Sequence, residues 1–252
     1  MNKTTKRIIS VLVFISLIIT WELLSGIVSN SLFIPTPRET VEMLITLLKG
    51  NLTDHIIASF KRITIAVFIA GAISIPLGLI IAKVMVINCL LSPIINFLRY
   101  IPITAFSPLL MLFIGIGEDM KISLIFIAVF LQYLPTVVHE FETIDKNVIE
   151  SATTMGFSDF RSIWYIMIPY ATPELLRNFI SLYGIGWTYV IIAEVTNANL
   201  GLGHLMYIGS ARGNTKMVFA ALITIIFINI AFDKLGKFII KKKFSWRYKN
   251  DE

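Results

Sequence analysis

Five polar side chains lie within or beside strongly apolar segments of this 252-residue sequence, where they could contact a passing solute. Hydrocarbon makes unpaired polar groups costly, so such residues typically mark a pathway or an internal partnership. Of the five, Glu194 would cost the most free energy to place in hydrocarbon, so it is the strongest candidate. It could equally be an interfacial carboxylate at the end of a helix. The candidates for a solute pathway are Thr104, Ser107, Thr188, Glu194 and Asn197.

No pattern for phosphate binding or metal ligation accompanies these residues. The sequence contains no G-x-x-x-x-G-K-[ST] loop, so any ATP that drives the protein must be hydrolysed on another chain. We place His55, His139 and His204 in loops, and no His/Cys cluster has zinc spacing. Cys89 is the single cysteine and cannot form an internal disulfide. The sequence therefore predicts no metal and no cofactor.

A second set of spaced residues lies in the longest polar stretch of the chain. Residues 149–155 are typical of a short helix, and Gly156 can end it in the left-handed conformation. Ser158 or Asp159 can cap a second helix directly afterwards. This predicted helix, turn and helix suits docking into a groove of another protein, although an amphipathic loop helix resting on lipid has the same spacing. Apolar residues near its tip are Met155, Phe157 and Phe160.

The composition predicts that these residues are positioned by membrane helices. Hydrophobic residues make up 56% of the chain and charged residues 15%, with a mean hydropathy of +0.79, which is too apolar for a soluble domain. Six helices of about 20 residues would use nearly the whole length, so we predict one membrane domain over residues 1–252. The predicted spans lie near 8–24, 63–82, 103–116, 122–138, 179–193 and 217–232.

Two smaller features of the elements also follow from the sequence. Residues 39–48 have apolar positions at helical spacing and predict a short helix at the membrane surface. In the fifth span, Gly184 and Gly186 should permit close approach of a neighbouring helix.

Charge predicts the orientation of the spans. With six spans and an internal amino terminus, 15 of the 22 Lys and Arg residues fall on the inner side. The positive-inside rule then places both termini, the segment 146–170 and the basic tail 234–252 in the cytoplasm. The tail lysines can anchor the last helix to anionic lipid or contact a partner.

The spacing in the polar stretch resembles a family signature. Permease subunits of binding-protein-dependent ABC importers carry the pattern E-A-A, three residues, G, nine residues, I-x-L-P. Ser151 replaces the first alanine and Ile168 replaces the leucine, and both are small changes. The residues that match the pattern in register are Glu150, Ala152, Gly156, Ile166 and Pro169.

Further segments resemble the nitrate, sulfonate and taurine branch of these permeases, and the resemblance covers roughly residues 30 to 235. They are residues 34–37, the run Arg99, Ile101, Pro102, Pro108, Phe113, Gly115, Ile116, Gly117 and Glu118, and residues 201–203. The resemblance implies an all-α, type I importer permease of about six helices in a bacterial inner membrane. It also implies a second permease copy, two cytoplasmic ATP-binding subunits and an extracytoplasmic solute-binding protein, with no nucleic acid.

The same resemblance assigns roles to residues. The permease would form the path for a small solute and couple to its ATPase through the motif at 150–169, with ATP hydrolysis on the partner. The branch suggests a small anion such as a sulfonate or nitrate, but related permeases also serve vitamin precursors, so the solute stays open. The implied coupling residues are Glu150, Ala152, Met155, Gly156, Phe157, Ile166 and Pro169.

Two other classes of protein compete with this interpretation. A self-powered secondary transporter would need ionisable residues within the membrane and often shows inverted repeats. The sequence shows no convincing repeat, and the middle parts of the spans are nearly free of charge. An intramembrane enzyme would place His, Asp or Ser constellations in the spans, whereas we place the histidines in loops.

Overall fold

A chain inside hydrocarbon must satisfy its backbone hydrogen bonds internally, and helices do so within one segment. The computed structural model describes residues 3–27, 33–98 and 100–245, and every regular element in those ranges is helical. This confirms the predicted all-α class. The helices are α1 Lys3–Ile27, α2 Pro37–Lys49, α3 Leu52–Lys83, α4 Met85–Leu98, α5 Phe106–Ile114, α6 Glu118–Glu142, α7 Lys146–Thr154, α8 Asp159–Ser162, α9 Ile168–Asn197, α10 Leu202–Ala211 and α11 Thr215–Lys243.

Two irregular helical turns complete the described elements. A 3₁₀ turn over Ile103–Ala105 precedes α5, and a π-helix over Ile163–Met167 joins α8 to α9. Parts of the predicted basic tail and Arg99 lie outside the described residues.

Five described helices are long and apolar enough to cross a membrane: α1 from Ile8, α3, α6, the continuous stretch Asp159–Thr196 and α11. A sixth span results if α4 and the segment Ile103–Ile114, bent by 79°, count as one. This agrees with about six spans in the predicted order. Five of these helices are longer than the predicted spans, because hydropathy marks the apolar part of a helix and not its polar first turns, whereas the segment Ile103–Ile114 ends before the predicted span 103–116.

The sequence interpretation was wrong about one helix and about the histidines. It placed no element over residues 85–98, where the structure has α4 with Pro93 inside it. It also placed the histidines in loops, whereas His55, His139 and His204 lie in α3, α6 and α10. His55 and His139 stand close to polar ends of their helices, which have too few apolar neighbours to be predicted as part of a span, and His204 lies in a ten-residue helix that is too short to be one.

The chain divides into two compact units: Met1–Ser59 with Ala198–Ile226, and Phe60–Asn197 with Phe227–Glu252. In the first unit, α2 begins with a capping box in which Thr36 and Glu39 exchange hydrogen bonds. This confirms the short helix predicted over residues 39–48. Lys216 Nζ contacts Glu39 Oε1 at 2.6 Å, which ties α2 to the start of α11.

Residues 201–203 are held in the first unit by the outer turns of α3. His55 Nδ1 lies 2.9 Å from the Gly201 carbonyl oxygen and 3.0 Å from the Gly201 nitrogen, and the Leu202 N–H donates to Ser59 Oγ at 2.9 Å. The first N–H groups of a helix have no partner within it. Ser59 therefore supplies an acceptor at the start of α10, and His55 binds Gly201 directly before this helix, so both residues have a structural role.

The second unit is built on α6 and α9, which pack along each other. The Tyr133 hydroxyl of α6 donates to the Leu175 carbonyl of α9 at 3.0 Å. A Cβ atom on Gly186 of α9 would lie 2.8 Å from Ile63 Cγ2 of α3, so the predicted close approach at Gly186 is confirmed. The same prediction for Gly184 was wrong, since a Cβ atom there would have no neighbour within 4 Å.

Candidate functional site

The predicted turn at Gly156 has the geometry of a Schellman motif. Gly156 has a φ of +82°, its N–H donates to the Thr153 carbonyl at 2.9 Å, and the Phe157 N–H donates to the Ala152 carbonyl at 3.1 Å. This hydrogen-bond pair ends a helix and requires the left-handed conformation at one residue, where glycine carries no steric penalty. In the family signature, Gly156 follows Ala152 by four residues, and this places the glycine at the left-handed position of the turn.

The second predicted cap is also confirmed. The Ser158 hydroxyl accepts a hydrogen bond from the Arg161 N–H and begins α8. Ala152 is buried while Glu150 is exposed, so the helix α7 has an inner and an outer side. A firm turn with two capped helices presents its side chains in a fixed arrangement.

Large apolar side chains cover the outside of this turn. Met155 is 77% exposed and Phe160 is 70% exposed, as predicted for the tip, whereas Phe157 is half-buried and its ring lies 6.4 Å from that of Tyr165. Trp164 and Tyr165 are also exposed, although the sequence interpretation did not name them. Exposed apolar clusters of this kind mark surfaces that contact a protein partner or lipid. We call Met155, Phe160, Trp164 and Tyr165 the apolar patch.

The last part of the motif lies where the segment becomes α9. Ile166 is half-buried within the π-helix, and Pro169 is exposed at the second residue of α9. Proline lacks an N–H, so the backbone ladder is interrupted at this point. The π-helix and Pro169 together make the beginning of α9 the irregular part of this continuous helical stretch.

An ion network lies at the other end of α9. Arg62 of α3 donates from Nη1 to Glu194 Oε1 at 2.6 Å, and from Nε and Nη2 to the two carboxylate oxygens of Glu118 at 2.6 and 2.7 Å. Lys121 Nζ donates to Glu118 Oε1 at 2.8 Å. Arg62, Lys121 and Glu194 are buried, and Glu118 is half exposed. We call these four residues the ion network.

The ion network changes the interpretation of Glu194. Its side chain has no exposed surface and is engaged by Arg62, so the structure gives it an internal partner. Arg62, to which the sequence interpretation assigned no role, lies inside α3 directly before the predicted span 63–82. The signal for the network was the presence of two cations and two carboxylates near ends of the spans that the charge rule places on one side.

The other pathway candidates have different surroundings. Thr104 in the 3₁₀ turn and Thr188 in α9 are exposed. Ser107 is buried, and its hydroxyl has no hydrogen-bond partner within the described part of the chain. The side chain of Asn197 lies outside what the structure describes. The structure does not gather these residues around one cavity.

A polar cavity of about 300 Å³ lies between α4 and α6, where sequence reasoning named no residue. The Asn88 amide donates to Glu142 Oε1, and the Ser92 hydroxyl donates to Asn88 Oδ1 at 3.1 Å. The cavity was missed because α4 was not predicted. Its lining residues are Asn88, Ser92, Ile95, Asn96, Pro135, Val138, His139 and Glu142.

Known proteins identify the family of this chain. Residues 74–244 match the family model described as "Binding-protein-dependent transport system inner membrane component", which is more than half of the sequence. The chain belongs to this family. It is a permease subunit of an ABC transporter, as the motif around Gly156 predicted, and its family is one of inner-membrane proteins.

Full-length relatives support the same assignment. The permease is 30% identical over 236 residues to a protein of Methanocaldococcus jannaschii described as an ABC transporter permease, covering 91% of this chain and 88% of the relative. It is 29% identical to the taurine transport system permease protein TauC of Escherichia coli, covering 84% of this chain and 79% of the relative. These matches extend well beyond the motif at 150–169.

The fold is also that of a solved transporter. The permease matches a chain of the MetNI methionine ABC transporter in an inward-facing conformation with a TM-score of 0.67 and 18% sequence identity. The match covers 80% of this chain and 97% of that chain. At this identity, the likeness supports the fold alone.

Proposed function

We propose that the permease receives its driving force through the segment 146–170, which docks on a cytoplasmic ATP-binding subunit. The observation that carries this proposal is the apolar patch held outside a Schellman turn. Met155 and Phe160 are largely exposed beside Gly156, and burying them in a partner would remove apolar surface from water. The residues assigned to the contact are Glu150, Ala152, Met155, Gly156, Phe157, Ile166 and Pro169.

The wider assembly follows from the same role. Two ATP-binding subunits would hydrolyse ATP, a second permease copy would complete the membrane domain, and an extracytoplasmic binding protein would deliver the solute. The permease itself would hydrolyse nothing. The basic tail, which the charge rule assigns to the cytoplasm, fits contact with anionic membrane lipid.

The solute that we propose is a small sulfonate. Its support is the similarity to TauC over 84% of this chain, since the name of that relative assigns it to taurine transport. For the path we propose Thr104, Ser107, Thr188 and Asn197, together with the polar cavity between α4 and α6. Its volume of about 300 Å³ is at the lower end of ligand-binding cavities, which suits a small solute.

Docking can be tested by purification in mild detergent with the host's ATP-binding subunit. We expect Gly156→Asp to lose about tenfold or more of the co-purifying ATP-binding subunit, which corresponds to about 1.4 kcal/mol. The reason is that an L-residue is strained at a φ of +82° and that the new charge adjoins the apolar patch.

The matched control is Gly213→Asp. Gly213 also has a positive φ, of +66°, and as at Gly156 an added Cβ atom would meet nothing within 4 Å. Gly213 lies in the turn between α10 and α11 and is not part of the segment 146–170. Equal recovery of the ATP-binding subunit with both variants would contradict docking through the Gly156 turn.

A further inference from the structure

The ion network balances its own charge inside the helical bundle. Arg62 and Lys121 supply two positive charges, and Glu118 and Glu194 supply two negative charges. Charges in hydrocarbon are tolerated when they are paired, and removing one partner leaves the other uncompensated. The network is therefore stable only as a set.

The geometry goes beyond charge balance. Arg62 binds Glu118 through two parallel hydrogen bonds and uses a third nitrogen for Glu194, so one guanidinium joins α3 to both α6 and α9. A planar, bidentate arrangement fixes direction as well as distance. Lys121 differs because it binds Glu118 within its own helix and joins no further helix.

Glu194 and the segment 146–170, which we call the docking segment, lie at opposite ends of α9. From Ile168 to Glu194, α9 rises about 40 Å, the thickness of a bilayer with its headgroups. The beginning of α9 adjoins a π-helix and contains Pro169, and such irregular turns are where helices bend. The far end is joined to two other helices by Arg62.

We propose that Arg62, Glu118 and Glu194 are positioning residues that hold the far ends of α3, α6 and α9 together as one body. Displacement of the docking segment then reaches α3 and α6 through α9, and a signal from the opposite side of the membrane returns by the same route. This inference rests on the proposed docking of segment 146–170. Lys121 balances the charge of the set and does not position a helix.

The test separates charge balance from positioning. Glu194→Leu, which leaves Arg62 without an acceptor on α9, gives one excess positive charge and Lys121→Met one excess negative charge, whereas the double variant is neutral. We expect lower yields of folded protein from each single variant and recovery in the double variant. The double variant still lacks the carboxylate that joins α9 to Arg62.

The signal across the membrane is measured with the reconstituted complex. The permease is placed in lipid nanodiscs with its ATP-binding subunit, and the probe is the host's binding protein as purified with the solute it retains. We expect the double variant to keep basal ATP hydrolysis and to lose its stimulation by the binding protein. Full stimulation of the double variant would overturn the proposal, because charge balance alone would then suffice.

A disulfide provides a second, independent measurement. A Cβ atom on Gly186 would lie 3.8 Å from Ile63 Cβ, the mean Cβ separation in protein disulfides. Ile63→Cys with Gly186→Cys, in a Cys89→Ser background, therefore joins α3 to α9 covalently. In the complex that carries only these cysteine substitutions, we expect the binding protein still to stimulate ATP hydrolysis after oxidation. In the complex that also carries the double charge variant, we expect oxidation to restore this stimulation.

If oxidation abolished the stimulation of ATP hydrolysis in the complex that carries only the cysteine substitutions, the proposal would be overturned. That result would mean that stimulation requires α3 and α9 to move past each other. This result does not depend on whether the charge variants fold. Docking is measured separately by recovery of the ATP-binding subunit, so failure of docking counts against the proposed function and not against the network.

Discussion

The buried charged side chains in this permease are paired with opposite charges, because an unpaired charge is costly to bury. Arg62 and Glu194 are almost completely buried, and each has an oppositely charged partner in hydrogen-bonding distance. Interpreted from sequence, Glu194 could be a path residue or an interfacial carboxylate. The structure shows a third arrangement, in which the carboxylate is an internal partner of a cation in another helix.

A pair in the other unit gives a prediction about pH. Hydrogen bonds from the Lys216 ammonium and from Thr36 hold the pKa of Glu39 below its usual range. A depressed pKa in the folded state contributes stability that is present above the unfolded pKa, near 4.3, and is lost as the pH falls through the folded pKa. Glu39→Gln can retain the capping hydrogen bonds but removes the ion pair.

We therefore expect Glu39→Gln to lower the Tm in detergent at pH 7, and we expect this difference in Tm to shrink as the pH falls below about 4.3 towards the folded pKa of Glu39. Thermal unfolding of both proteins across this pH range is the measurement. The control is Glu42→Gln, because the exposed pair of Glu42 with Arg38 should contribute little. A difference in Tm that persists unchanged to pH 3 would count against the ion pair.

At the scale of elements, local spacing explains the docking segment. The Schellman motif joins Phe157 to Ala152 and Gly156 to Thr153, so the position of Gly156 at the end of α7 could be interpreted without any tertiary contact. The ends of the long helices were predicted less accurately than this turn. Leu52 begins α3 well before the apolar run at Ile63, because the first turns are polar and are held by residues of α10.

Close packing between α3 and α9 gives a prediction with a built-in control. Gly186→Ala would bring a Cβ atom to 2.8 Å from Cγ2 of the buried Ile63, a branched side chain with little freedom to move. We expect a loss of about 1 to 3 kcal/mol of stability, typical of overpacking.

Gly184→Ala, two residues away in the same helix, should lose nothing, since a Cβ atom there meets no neighbour. Reversible unfolding in denaturant, or Tm values in detergent, would measure both variants. Equal stability of the two would contradict the packing of α9 on α3.

At the scale of the whole molecule, charge distribution predicts which side of the membrane each segment faces. Met155 should lie in the cytoplasm and Arg212 outside it, because 15 of the 22 cations fall on the inner side of a six-span arrangement. Both side chains are exposed and can be replaced by cysteine in a Cys89→Ser background.

Labelling of spheroplasts with a membrane-impermeant maleimide tests this orientation. Arg212→Cys should react in intact spheroplasts, and Met155→Cys should react only after permeabilisation. The reverse pattern would invert the topology and would also remove the segment 146–170 from the compartment that holds ATP.

Sequence alone determined the helical class, the approximate number of spans, the family and the turn at Gly156. The class, the spans and the turn depend on composition, on periodicity and on hydrogen bonds between residues a few positions apart, whereas the family followed from the resemblance of the motif at 150–169 to a known signature. Tertiary structure decided the partners of Arg62, which are 56 and 132 positions away in the chain, and the existence of the cavity beside α4. A buried charge signals in sequence that it needs a partner, but only the packing of three helices determines which residue comes within 2.6 Å of it.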